Sequence, residues 1–161
     1  MKTLYMIRHA KSSWEFDMDD HARPLAQRGL DDAPRMGRHI KNLIKTPGKV
    51  MSSDAIRAKT TAMLYLKELG IPQEQLVLER KMYDFGGKDL DAVIRSCDDE
   101  VDVLMVFGHN NAMTNLVNHY GDMEIDNVST AAFTAIEFDT DRWSMIKKGK
   151  TIHFIKPKDL K

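Results

Sequence analysis

Residues 101–107, Val101-Asp102-Val103-Leu104-Met105-Val106-Phe107, limit what this chain can become more than any other stretch. The run is short, almost wholly apolar and closed by Gly108-His109, which reads as a strand covered on both faces. Such a strand belongs inside a parallel sheet with helices on either side, and the rest of the chain alternates accordingly. A strand at 3–8 is followed by a polar loop carrying Trp14 to Pro24, then a helix from near Gly29 through Met36, Ile40, Leu43 and Ile44. Lys49-Val50-Met51 reads as a second strand, and Ser52-Ser53-Asp54 as the start of a helix over 55–69, where Ile56, Met63, Leu64 and Leu66 are apolar. That helix stops at Gly70. Leu76-Val77-Leu78, a helix at 88–96 and a helix at 112–120 continue the pattern. The C-terminal part predicts strands at 131–138 and 143–155, joined by a turn at Asp139-Thr140-Asp141-Arg142. The expected class is α/β: a three-layer α/β/α sandwich around a mainly parallel sheet with an antiparallel edge.

With 161 residues and no repeat or linker-like stretch, the chain is expected to form a single domain over 1–161. Twenty-four basic residues balance twenty-four acidic ones, so the whole-molecule field of a general nucleic-acid binder is missing. Anion recognition must therefore be local. Cys97 is the only cysteine, which rules out an internal disulfide and fits a passive thiol. No leader-like segment opens the sequence, and no apolar run approaches the roughly 20 residues that span a bilayer. The cytoplasm is the expected location, with no membrane or nucleic-acid partner. The eleven methionines, among them Met36, Met51, Met63 and Met105, read as core filler.

Three separated segments place polar residues just after a strand: Arg8-His9-Ala10-Lys11-Ser12-Ser13-Trp14, Ser52-Ser53-Asp54-Ala55-Ile56-Arg57-Ala58, and Gly108-His109-Asn110-Asn111. Carboxyl ends of parallel strands are where ligands bind in such sheets. Arginine and histidine in these places suit an anion, because a guanidinium fork matches phosphate oxygens. Neither His21, His39, His119 nor His153 forms a close-spaced pair with Cys, Asp or Glu on one helical face, so no metal ligand set is expected. His21, in the polar loop beside Arg23, reads as a solvated or substrate-facing histidine.

The ordered set "IRHAKSSW", "RPLAQRG", "SSDAIRAKTTA" and "VFGHNNAMT" resembles the histidine phosphatase superfamily, which includes the cofactor-dependent phosphoglycerate mutases. Within it, the short length and the "RHAKSSW…RPL…RG" form look like the SixA-type phosphohistidine phosphatases. The resemblance implies a phosphoglycerate mutase-like fold and a metal-independent phosphatase without cofactor. His9 would be the nucleophile, passing through a phosphohistidine intermediate. Arg8, Arg57 and His109 would complete the phosphate pocket, with His109 also catalytic. Arg23 matches the arginine of the "RPL" element, either contacting substrate or anchoring the loop. The chemistry is consistent: a neutral imidazole is a competent nucleophile near pH 7. Preorganised donors on the transferring phosphoryl group are worth about 3–4 kcal/mol each.

The resemblance also implies a carboxylic acid that protonates the leaving group, near Leu78-Glu79-Arg80-Lys81-Met82-Tyr83-Asp84. Asp84 is the candidate, with Glu79 as the alternative, or neither. A protonated imidazole leaves more easily than an alkoxide, so a weak acid signal favours a phosphohistidine substrate, as on a phosphorelay protein. Glu15, where mutases carry asparagine, argues against the mutase form. The competing expectations are a small-molecule phosphomonoesterase, a mutase-type phosphotransferase, and a non-catalytic phospho-ligand binding module on the same fold.

Overall fold

The computed structural model describes residues 1–160. Six strands form one sheet: β1 (Lys2–Arg8), β2 (Lys49–Ser52), β3 (Leu76–Leu78), β4 (Val103–Gly108), β5 (Phe133–Phe138) and β6 (Lys150–Ile155). Their order is β3-β2-β4-β1-β5-β6. The first four run parallel, whereas β5 is antiparallel to β1 and β6 is antiparallel to β5. Four helices, α1 (Gln27–Ile40), α2 (Ile56–Leu69), α3 (Lys88–Arg95) and α4 (Ala112–Tyr120), cover the two faces.

Side-chain alternation along β1 builds both cores. Tyr5 and Ile7 join Met36 and Ile40 of α1 and Ala62, Tyr65 and Leu66 of α2. Leu4 and Met6 face the other way, onto Leu90 and Ile94 of α3 and Met113 and Val117 of α4. All six residues of β4 are buried, as a strand flanked by parallel neighbours and helices on both faces must be. The result is the three-layer α/β/α sandwich with an antiparallel edge.

Local signals explain the helix ends. Gly70 takes φ 72°, and its N–H closes α2 onto the carbonyls of Leu66 and Lys67. Helix α1 ends at Ile40, four residues before the expected Ile44, and Leu43 is exposed. The chain turns away there, where the Lys45 N–H donates to the Tyr5 hydroxyl at 3.0 Å. The buried face of α2 also differs from expectation. Ile56 and Met63 are exposed, while Arg57, Ala58, Thr61, Ala62, Tyr65 and Leu66 face inward. Helix α1 approaches this face closely at Gly37, where a Cβ would lie 3.1 Å from that of Glu68 and 3.2 Å from the Tyr65 carbonyl oxygen.

The expected strand over 143–155 begins only at Lys150. Residues Trp143–Met145 form a 3-10 turn, because the buried Trp143 indole donates to the Val101 carbonyl at 2.7 Å and its backbone N–H to Asp99 Oδ1 at 2.8 Å. These bonds tuck the segment under the start of β4. No helix among the described residues is long and apolar enough to cross a membrane.

Candidate active site

Three neighbouring strands, β2, β4 and β1, deliver the polar segments to one end of the sheet. The parallel ladder pairs Arg8 with Gly108 and Ser52 with Phe107. It is then extended by bonds from the His9 N–H to the Gly108 carbonyl (2.9 Å) and from the Ser53 N–H to the Phe107 carbonyl (3.1 Å). Arg8 is the last residue of β1, His9 follows it, His109 follows β4, and Arg57 lies in the first turn of α2. The direction in which successive connections run reverses between β1 and β4, and such a switch point opens a crevice at the carboxyl ends of the strands.

The two imidazole rings lie 5.3 Å apart, centroid to centroid. His9 Nδ1 is 2.7 Å from the Ala10 carbonyl oxygen. A carbonyl only accepts, so Nδ1 carries the proton and the Nε2 lone pair is free. His9 is 7% exposed, and burial together with the charges of Arg57, Arg8 and Arg23 pushes its pKa down to about 3. The ring is neutral at pH 7, as a nucleophile must be.

His109 is held differently. Its Nε2 is 2.8 Å from the Ser53 hydroxyl, which also accepts from the Ala55 N–H at 3.2 Å. The Ser53 hydroxyl proton has no other acceptor among the described residues, so it goes to Nε2, which places the ring proton on Nδ1. Burial, then the neighbouring His9 and Arg57, push His109 down to about 3 as well. That Nδ1–H is buried and has no partner among the described residues. Six buried side-chain polar atoms share that condition, and three of them are Arg8 Nε, Arg57 Nε and His109 Nδ1. An unpaired buried donor costs about 1–3 kcal/mol, and these three belong to residues around His9, where an anionic acceptor would satisfy them.

The arginines differ in their engagement. Arg8 donates from Nη1 to the Val128 carbonyl at 2.9 Å. Arg57, only 2% exposed, donates to the Asp20 carbonyl oxygen at 2.5 Å and to Asp20 Oδ2 at 2.9 Å. Arg23 holds the loop: it donates to Asp20 Oδ1, Ser12 Oγ and the Ser13 carbonyl, and its guanidinium lies 3.5 Å from the centroid of the Trp14 ring. These partners give it a loop-anchoring role, while its charge still acts on His9. His21 bonds Asp54 at 2.8 Å and meets the Tyr83 ring edge-on.

Asp84, the candidate acid, is engaged in the structure by backbone amides. Its carboxylate accepts from the N–H groups of Gly86, Gly87, Asp89 and Leu90 at 3.0–3.1 Å, capping α3. Burial opposes ionisation, but these amide bonds outweigh it and hold the group below the usual carboxylate range. At neutral pH it has no proton to give to a leaving group. Glu79 likewise accepts from the Lys81 N–H and lines a cleft with Lys49, Ala92 and Cys97, on the α3 side. Sequence reasoning did not single out Ser53 as a partner of His109, or Asp20 and Tyr83 as pocket residues. Their only signal was proximity to motif residues. Among the described residues, no three His, Cys, Asp or Glu side chains gather as a metal-ligand set.

Comparison with known proteins bears on the family and the fold. An uncharacterized chloroplastic protein of Arabidopsis thaliana is 38% identical over 61 residues, covering 37% of this chain and 28% of that protein. An uncharacterized protein of Mycobacterium tuberculosis is 33% identical over 103 residues, covering 64% of this chain and 62% of the relative. The match thus spans less than two thirds of either relative's length. Among solved structures, the protein histidine phosphatase SixA complexed with tungstate superposes with a TM-score of 0.79 at 21% identity, covering 99% of both chains. A family model described as the histidine phosphatase superfamily (branch 1) matches residues 4–102, a stretch that includes His9 after β1 and Arg57 in α2. By that match over more than half its length, the chain belongs to the histidine phosphatase superfamily.

Proposed function

We propose that this protein is a phosphatase in which His9 Nε2 attacks phosphorus and carries the phosphoryl group before water removes it. The observation that carries this reading is the convergence of one free imidazole lone pair with three unpartnered buried donors. In the first step the lone pair forms an N–P bond, and the bond from phosphorus to the leaving group breaks with its electron pair. In the second, water attacks phosphorus, the N–P bond returns its electrons to Nε2, and inorganic phosphate departs. Arg8, Arg57 and the Nδ1–H of His109 hold the equatorial oxygens through both steps, stabilising charge that would otherwise raise the barrier.

The substrate class follows from the state of the nearby acids. Asp84 is tied to four amides, and Asp20 is tied to Arg57, Arg23 and Tyr83. Neither is placed to protonate an alkoxide. An imidazole protonates readily in water and leaves without such help, which favours phosphohistidine over a sugar phosphate. The exposed apolar rim of Trp14, Phe16, Met18 and Phe85 suits a protein carrier, such as a phosphorelay protein in the cytoplasm. The superposition on a protein histidine phosphatase supports the same substrate.

The test is phosphate release from phosphohistidine, free and on a protein, and from an aryl phosphate. Wild type is expected to release phosphate and to trap an acid-labile label. His9→Ala should fold normally, trap none, and lose at least about 10³-fold in turnover. Wild type inactive on every substrate between pH 5 and 8, or an active His9→Ala, would overturn the assignment.

A further inference from the structure

One carboxylate already occupies the arginines of this pocket. Asp20 Oδ2 accepts from Arg57 Nη2 at 2.9 Å and from the Tyr83 hydroxyl at 2.5 Å, and Oδ1 accepts from Arg23 Nε at 3.2 Å. Two guanidiniums and a phenol on one small anion make a donor set that a phosphoryl group would also satisfy. Tyr83 in turn packs edge-on against His109, with ring centroids 5.3 Å apart, so this carboxylate lies beside the catalytic imidazoles.

The partners differ in how firmly they are held. Arg57 is fixed in the first turn of α2, buried against the sheet. Asp20 belongs to the connection over 9–26 between β1 and α1, where regular structure is confined to the single turn Asp20–Ala22 and the isolated Ser12–Leu25 bridge. Its side chain is 44% exposed. If one partner of this ion pair yields, it is the aspartate.

We propose that Asp20 is an internal gate of the oxyanion pocket: its carboxylate holds Arg57 Nη2 in the free protein, beside the backbone bond from Nη1 to the Asp20 carbonyl, and is displaced by the incoming tetrahedral oxyanion. This rests on the pocket reading above and adds to it a residue that sets the threshold for binding. A gate lowers apparent affinity by the fraction of molecules in which it stands open. Weakly held anions are thereby excluded, while a phosphoryl group that engages Arg8, Arg57 and His109 together prevails. Displacement also breaks the Asp20–Arg23 bond, and Arg23 underlies the exposed indole of Trp14.

Tungstate and perrhenate separate the possibilities, since both are tetrahedral oxyanions of similar size but carry two charges and one. Calorimetric titration of wild type, Asp20→Asn and Asp20→Ala gives the comparison, with thermal melts confirming that each variant folds. A displaced gate predicts that both anions bind about tenfold tighter to the variants, by the same factor. A carboxylate that stays in place and merely repels would favour tungstate over perrhenate in the variants, and that result overturns displacement. Weaker or unchanged binding of both anions overturns it too, because Asp20 would then only be orienting Arg57. On wild type itself, saturation with tungstate should change an emission component that is missing in Trp14→Phe. No such change would show that the loop does not move, whatever the variants do. Wild type that binds neither anion overturns the pocket and its gate together. Binding without any hydrolysis overturns the phosphatase reading alone.

Discussion

At the scale of single residues, the site works through which nitrogen carries a proton. Two histidines in one pocket are given opposite tasks by one hydrogen bond each. The Ala10 carbonyl fixes His9 with its proton on Nδ1, and the Ser53 hydroxyl fixes His109 with its proton on Nδ1 and its lone pair turned inward to serine. For His9 this exposes the acceptor nitrogen; for His109 it frees the donor. Removing Ser53 Oγ takes away what selects the His109 tautomer. Ser53→Ala is therefore expected to lower kcat/KM by about 10–100-fold, approaching the loss of one transition-state donor. Steady-state kinetics on an aryl phosphate, with tungstate affinity measured alongside, checks this. Unchanged kinetics in a folded variant would mean that the Ser53 bond does not orient the ring.

At the scale of elements, helix α1 supports the loop after His9 from beneath. A Cβ built on Gly29 would lie 2.3 Å from the Lys11 carbonyl oxygen, only two residues beyond His9. The Ala26 N–H donates to that same carbonyl at 2.8 Å, so helix and loop are locked backbone to backbone. Gly29→Ala cannot be accommodated by rotating a side chain. It should destabilise by about 1–3 kcal/mol and reduce turnover by displacing the loop, read by denaturant titration and by kinetics on the same sample. This contact also gives a physical reason for the glycine in the "RPLAQRG" segment, which the sequence shows but does not explain. The strands and their polar ends were legible because period and apolar run length report burial directly: β4 and the segments after β1, β2 and β4 could be placed from sequence. What could not be read depends on partners distant in the chain. Asp84 looks the same in sequence whether it caps α3 or faces a substrate, and only the four amides around it decide. The buried face of α2 was misjudged because size marked Ile56 and Met63, whereas the inward face carries Arg57, Ala58, Thr61, Ala62, Tyr65 and Leu66. The 143–149 segment looked like strand until Trp143 found the Val101 carbonyl. Asp20 gave no signal beyond its nearness to motif residues, since its meaning comes from Arg57, which is 37 residues away.

At the scale of the whole molecule, the pocket makes folding depend on pH. His9 and His109 are pushed to about 3 in the folded protein, against about 6.5 for an unfolded histidine. Between those values the unfolded chain binds more protons than the folded one, so stability rises with pH. The contribution is complete above about pH 6.5 and declines as pH falls toward 3, at up to about 1.4 kcal/mol per pH unit for each ring. Asp20 and Asp84 have the opposite origin but add to the same trend. Their depressed carboxyls give stability above about 3.9, lost only below it, so they act later in an acid titration. The window between pH 6.5 and about 4.5 thus belongs mainly to the imidazoles. Denaturant titrations at pH 7 and pH 5 should show wild type losing up to about 4 kcal/mol, a large part of the roughly 5–15 kcal/mol that holds a typical domain together. A His9→Gln, His109→Gln double variant removes both titrating rings and should lose far less over the same interval. If wild type is equally stable at both pH values, the two rings are not held neutral by burial. A neutral His9 at the carboxyl end of β1 would then have to be explained by something other than its desolvation.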